Sequence, residues 1–193
     1  MAVFIAVEGP DKVGKETQTK LLLQNLEGRV RRVEVPIHDF FTYKLIYWML
    51  RNGLAKRLPA TFQFVQFLNK FLWQFFVKPF LSLKSDYIVL DRWSPSSVVY
   101  GRAEGLPDWY VMFLFNRLFK PDATLVLHGV SHKRSTTQDD SYEKDTDLQR
   151  AVKVGYQQWA EETPRAVLVS NEGGIDTVHQ RIMETLERLD VLK

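Results

Sequence analysis

The sequence predicts a three-layer α/β domain built on a five-stranded parallel sheet, and three observations predict it. Short, continuous apolar runs alternate with longer stretches of helical period, which is how strands buried on both faces and their crossover helices read. The first of these runs passes directly into a turn holding two glycines and a lysine. With 193 residues, 45% of them hydrophobic and 25% charged, the chain can bury one sizeable core, which fits a single domain spanning 1–193.

Residues 2–7 are the first strand, and they feed the segment EGPDKVGKET from Glu8 to Thr17. A strand that runs into Gly9 and Gly14, with a helix opening near Lys15, aims successive backbone N–H groups and a helix N-terminus at one spot. Such a spot suits a polyphosphate. The spacing Gly-x4-Gly-Lys is complete, so Lys15 supplies a point charge to the β- and γ-phosphates. The next position, where a Ser or Thr hydroxyl ordinarily meets Mg²⁺, is Glu16, and a threonine follows only at Thr17. A carboxylate in the first turn stabilises its helix by about 0.3 to 1 kcal/mol, whereas against a triphosphate it would be repelled. Glu16 is therefore expected to turn outward while Thr17 substitutes.

A helix over 15–26 leads to a second strand at 31–35. Further helices are expected over 43–51 and 59–83, with Asn52 and Gly53 breaking the period between them. The third strand, 87–90, ends in Asp91 and Arg92. A helix over 107–118, a strand at 124–127, a helix over 147–162, a strand at 166–169 and a helix over 175–189 complete the order, with Asn171 to Gly174 as a breaker. Ligands of such sheets bind at the carboxyl ends of the strands, where the phosphate loop already lies. Residues 129–145 are polar and without period, and a loop at that edge is suited to fold over a bound nucleotide as a mobile lid.

The net charge of +3 comes from 26 basic and 23 acidic residues scattered along the chain, so small acidic ligands are implied and nucleic acid is not. Without cysteine there is no disulfide and no thiolate metal site. The apolar N-terminal run is too short for an export signal, and a cytoplasmic location is expected. Residues 61–83 are crowded with aromatics and long enough for a membrane span, but Gln63, Gln66, Asn69, Lys70, Gln74, Lys78 and Pro79 interrupt them. A helix buried on two sides, in the core or at a dimer interface, explains them better than a bilayer.

The run YIVLDRWSPSSVVYG from Tyr87 to Gly101 ends an apolar strand in a carboxylate that can hold Mg²⁺ and a guanidinium that can clamp a phosphate. Together with the phosphate loop it resembles the thymidylate kinases, whose Asp-Arg-Tyr/Trp motif precedes a Ser-rich turn and a helix. Pro121 to Leu127 is similar to that family's Pro-Asp-leading strand, and Tyr142, Glu143, Gln149 to Val152 and Tyr156 resemble its lid-to-helix segment. The resemblance implies a P-loop kinase fold and a homodimer that moves the γ-phosphoryl group of ATP onto dTMP with Mg²⁺. Residues Gly9 to Thr17 and Arg134 of the lid would hold ATP, and Asp91 and Thr17 the metal. Lys12, Lys15 and Arg92 would be catalytic, Lys12 acting on the transferring group and Arg92 also holding the acceptor phosphate.

The resemblance further implies that Asp11 meets the acceptor sugar, that Tyr142 closes over the nucleoside, and that Ser97 lies beside it. Phe67 stands at the separation from Asp91 of the family's base-stacking Phe, although packing explains it as well. Lys70 or Asn69 can reach a pyrimidine edge where relatives place an Arg, and His38 stands near a phosphate-binding Arg of relatives. The departures at Glu16 and His38 leave open a catalytically weak nucleotide-binding relative. A kinase for another, including a modified, deoxypyrimidine monophosphate or for a deoxynucleoside also stays open.

Overall fold

The computed structural model describes residues 1–130 and 146–192. Five parallel strands, β1 (Val3–Glu8), β2 (Val30–Glu34), β3 (Tyr87–Asp91), β4 (Ala123–His128) and β5 (Ala166–Ser170), form one sheet in the order β2-β3-β1-β4-β5. The strands are those the apolar runs predict, with ends moved by a residue. Side chains alternate across the sheet. Phe4, Ala6, Ile88 and Leu90 face one core with Trp73, Val98 and Leu114, while Ile5, Val7, Val89, Leu125 and Leu127 face another with Leu22, Val178 and Ile182. Both faces are thus covered, as a parallel sheet requires.

Helices α1 (Lys15–Asn25) and α9 (Ile175–Arg188) cover the second face. The other side carries α2 (Phe41–Arg51), α3 (Leu54–Arg57), α4 (Pro59–Phe76), α5 (Lys78–Lys84), α6 (Ser94–Ala103), α7 (Asp108–Phe115) and α8 (Thr146–Glu162). Two differences from the sequence reading have a local cause. The helix expected over 59–83 is two helices joined at Val77, because Pro79 has no N–H to continue a ladder and fits the first turn of a new helix. Helix α6 opens with Pro95 in its first turn, so Ser94 to Ser97 form that turn instead of a loop before it. No described helix is long and apolar enough to cross a membrane.

Candidate active site

The strand ends and two helix starts enclose a cleft divided into two cavities. The larger, about 660 Å³, is lined by the loop from Asp11 to Gln18, by Arg32 and Asp91, and by Asn171. The smaller, about 300 Å³, is lined by Pro36, Tyr47, Phe62, Gln63, Gln66, Lys70, Ser96, Ser97 and Tyr100. Asp11, Glu34 and Arg92 line both.

The phosphate loop crosses the end of β4 so closely that a Cβ on Gly9, whose φ is 134°, would collide with the Leu127 carbonyl. Only glycine fits there. Gly14, with φ of 94°, is the N-cap of α1, so the N–H groups of the first turn, which have no partner within the helix, lie at the larger cavity. Lys15 is buried with its Nζ donating to the carbonyls of Gly9, at 3.0 Å, and Pro10. Burial, followed by the Arg92 charge, pulls its pKa down to about 7. Glu16 is exposed and pairs with Lys20 one turn on at 2.7 Å, and both Glu16 and Thr17 line the larger cavity.

Two cations beside the cleft, Lys12 (φ 65°) and Arg92 (φ 69°), have left-handed backbones. Such a conformation costs a non-glycine residue about 1 to 3 kcal/mol and concentrates at functional sites. Arg92 forms an ion pair with Asp11, whose carboxylate also accepts from Tyr100 at 2.8 Å and Gln149 at 3.1 Å. Burial opposes ionisation of Asp11, but the Arg92 and Lys15 charges and these donors outweigh it and hold the carboxyl below the usual range. The turn carrying Arg92 is fixed from beneath by buried Glu8, which accepts from the Trp93 N–H at 2.5 Å and from Tyr156 at 3.0 Å. Burial raises the Glu8 pKa, against the attraction of Arg92. Asp91, at the end of β3, is paired with Arg32 of β2.

In the smaller cavity Lys70 is buried, with Nζ donating to Ser97 Oγ at 2.6 Å and Gln66 Oε1 at 3.3 Å. Burial pulls its pKa down to about 7. Of the two α4 residues able to reach a base edge, Asn69 is committed elsewhere. Its amide bonds both the N–H and the carbonyl of Ile37, at 2.7 and 3.0 Å, and Thr42 at 2.9 Å. For Phe67, of the stacking and packing roles left open, the structure shows packing. This side chain belongs to the core, against Phe71 and Phe115, because positions 63, 66 and 70 share the cavity face of α4 while Phe67 is turned about 100° from Gln66. His38 is likewise apart from the cavity lining, exposed with its ring 4.0 Å from that of Tyr43. Arg134 and Tyr142 lie outside the described residues.

Several cleft residues escaped the sequence reading. Arg32 sits in a strand of alternating charge, and Asn171 reads as a helix breaker. The Asn171 side chain donates to the carbonyls of Val13 at 3.2 Å and Val130 at 2.6 Å, and accepts from the Val130 N–H at 2.8 Å, tying the phosphate loop to the end of β4. Gln63 and Gln66 carry no short motif that would mark them, while Tyr100 and Gln149 lie inside segments that resemble the family without a role of their own there.

A family model of thymidylate kinase matches residues 7–182. The chain belongs to the thymidylate kinase family. It is thus an ATP-dependent nucleoside monophosphate kinase, a phosphotransferase, by membership. A probable thymidylate kinase of Thermococcus kodakarensis is 28% identical over 97% of this chain and 98% of that protein. The thymidylate kinase of Plasmodium falciparum is 26% identical over 97% of this chain and 91% of that protein. The solved thymidylate kinase structure from Candida albicans superposes with a TM-score of 0.81 at 23% identity, covering 98% of this chain and 92% of that chain. That likeness extends the P-loop kinase fold across the described sheet and helices of the thymidylate kinase chain.

Proposed function

We propose that the protein transfers the γ-phosphoryl group of ATP to dTMP, giving dTDP and ADP. The observation that carries this reading is the meeting of two cavities at Asp11 and Arg92, one floored by the phosphate loop and the other by Lys70 and Ser97. ATP lies along Gly9 to Thr17, its phosphates on the first-turn N–H groups of α1 and on Lys15, with Arg134 nearest it from the lid. The dTMP phosphate meets Arg92, its sugar meets Asp11, its base faces Lys70 and Ser97, and Tyr142 closes over it. An oxygen of the dTMP phosphate attacks the γ-phosphorus as the bond to the β-phosphate breaks. Transfer of this kind needs alignment and positive charge on the equatorial oxygens more than a strong base. Lys12, Lys15 and Arg92 supply that charge from the chain.

The residues present fit Mg²⁺, which binds through one or two carboxylates together with substrate phosphates. Asp91 and Thr17 both line the phosphate cavity and would hold it, although one Asp91 oxygen is engaged by Arg32. When bound, the ion neutralises charge on the β- and γ-phosphates. Residues 1–193 form one kinase domain, cytoplasmic in location, that acts on nucleotides and not on nucleic acid or membranes. A homodimer is supported by exposed Phe64, Phe75, Phe76, Phe80, Trp109 and Phe113 on α4, α5 and α7, more apolar surface than a small monomer ordinarily leaves to water.

Incubation with ATP and Mg²⁺ and each of dTMP, dUMP, dCMP, dGMP, dAMP and thymidine, with products identified by mass, tests the reading. dTDP is expected from dTMP. No product with dTMP, alongside measurable ATP binding, would overturn it.

A further inference from the structure

The acceptor cavity holds a polar group that the assigned roles do not use. Gln63 is 1% exposed, lines that cavity, and its carbonyl Oε1 has no hydrogen-bond partner among the described residues. A buried amide carbonyl left unpaired costs as much as a lost hydrogen bond, so an orphan of this kind in a binding cavity calls for a ligand donor. The same amide donates from Nε2 to Glu104 at 3.4 Å, which is long for such a bond. Oε1 is itself buried and reaches the cavity only when the amide turns about its broad terminal torsion, which gives up the long Glu104 bond. On the same face of α4, Gln66 and Lys70 stand one and two turns further on. The Gln66 oxygen and the Ser97 hydroxyl oxygen already accept from Lys70. The wall therefore offers donors from Lys70 and an unfilled acceptor from Gln63.

A base edge that carries a carbonyl oxygen beside a ring N–H complements this wall. We infer that Gln63 is a specificity-determining residue that accepts the N3–H of the acceptor base, selecting thymine and uracil over cytosine, whose N3 has no hydrogen. The inference rests on the reading of this cavity as the acceptor site. A methionine thioether has similar length and is only a weak acceptor, so it replaces the amide without leaving a hole and would discriminate little at N3. With Phe67 turned into the core, edge recognition carries more of the base selection at this wall than the expected stacking would.

Calorimetric titration without ATP tests the assignment, using dTMP and its N3-methyl derivative on the unmodified protein and on Gln63→Met. The unmodified protein is expected to bind dTMP about tenfold more tightly than the methylated compound, the upper range of one neutral hydrogen bond. In Gln63→Met that ratio is expected to fall to about two, with dTMP itself weakened by a comparable factor. Equal binding of the two compounds by the unmodified protein would overturn the role of Gln63 without any variant being needed. A tenfold ratio that survives in Gln63→Met would overturn it as well, while leaving the acceptor site in place. Failure of the unmodified protein to bind dTMP at all would instead overturn the acceptor reading on which the inference rests.

Discussion

Replacing Arg92 by alanine removes the guanidinium shared by both cavities and leaves the Asp11 carboxylate without its ion-pair partner. Breaking a fully buried pair costs about 3 to 5 kcal/mol, and an exposed pair contributes about 1 kcal/mol at most. Here the side chains are 24% and 18% exposed, and Tyr100 and Gln149 still donate to Asp11. The loss of stability is therefore placed between those limits, at about 2 kcal/mol. For a chain of this length that lowers Tm by roughly 4 to 8 °C. The left-handed backbone of residue 92 provides an internal control. Arg92→Gly relieves about 1 to 2 kcal/mol of backbone strain but adds about 0.4 to 1 kcal/mol of unfolded-state entropy. The glycine variant should be the more stable of the two by about 0.5 to 1 kcal/mol. Both should bind dTMP roughly ten- to a hundredfold more weakly, the range of a charge-assisted hydrogen bond to phosphate. Thermal melts and dTMP titrations read these quantities. Binding of dTMP within twofold of the unmodified protein would refute the clamp, and an alanine variant as stable as glycine would refute the backbone argument.

Lys12→Met should lower turnover by about a hundred- to a thousandfold while changing dTMP affinity little, because a contact made in the transition state appears in the rate; steady-state kinetics with equilibrium binding decides it. Glu16→Thr should change kcat by less than about threefold, since the carboxylate already points to Lys20 and an exposed pair contributes little; a large gain would show that Glu16 had been acting in the cleft. Lys70 should make acceptor binding sensitive to pH. Its pKa is lowered to about 7 by burial, with Glu8 opposing and Arg92 adding to the shift, so raising the pH through about 7 removes the proton and weakens dTMP binding. Lys70→Arg keeps its charge, and the ratio of the two affinities across pH 6 to 9 isolates the lysine from titration of the dTMP phosphate.

The strands were legible because each is a continuous apolar run, and the phosphate loop because its glycines answer a local backbone demand at Gly9 and Gly14. The acceptor side was less so. In α4 aromatics surround the helix, so composition did not disclose which face meets the cavity, and of the adjacent Gln66 and Phe67 it is Gln66 that lines it. Only the packing of Phe67 against Phe71 and Phe115 settles the phase. Asn69 and Lys70 adjoin in sequence and can both reach a base edge, and the long-range bonds from Asn69 to the backbone of Ile37 are what separate them. The Arg32 to Asp91 and Asn171 to Val13 contacts join residues 59 and 158 positions apart, distances at which no local pattern speaks. The split at Val77 follows from Pro79, which was visible but outweighed by the apolar run around it.

The ion pair of Asp11 and Arg92 is the common wall of both cavities. A dianionic phosphate arriving on either side competes with Asp11 for the same guanidinium, and so alters the potential felt on the other side before any second ligand is present. On the proposed assignment of the cavities, donor and acceptor are then coupled through one salt bridge, and linkage demands that whatever ATP does to the affinity for dTMP, dTMP does equally to the affinity for ATP.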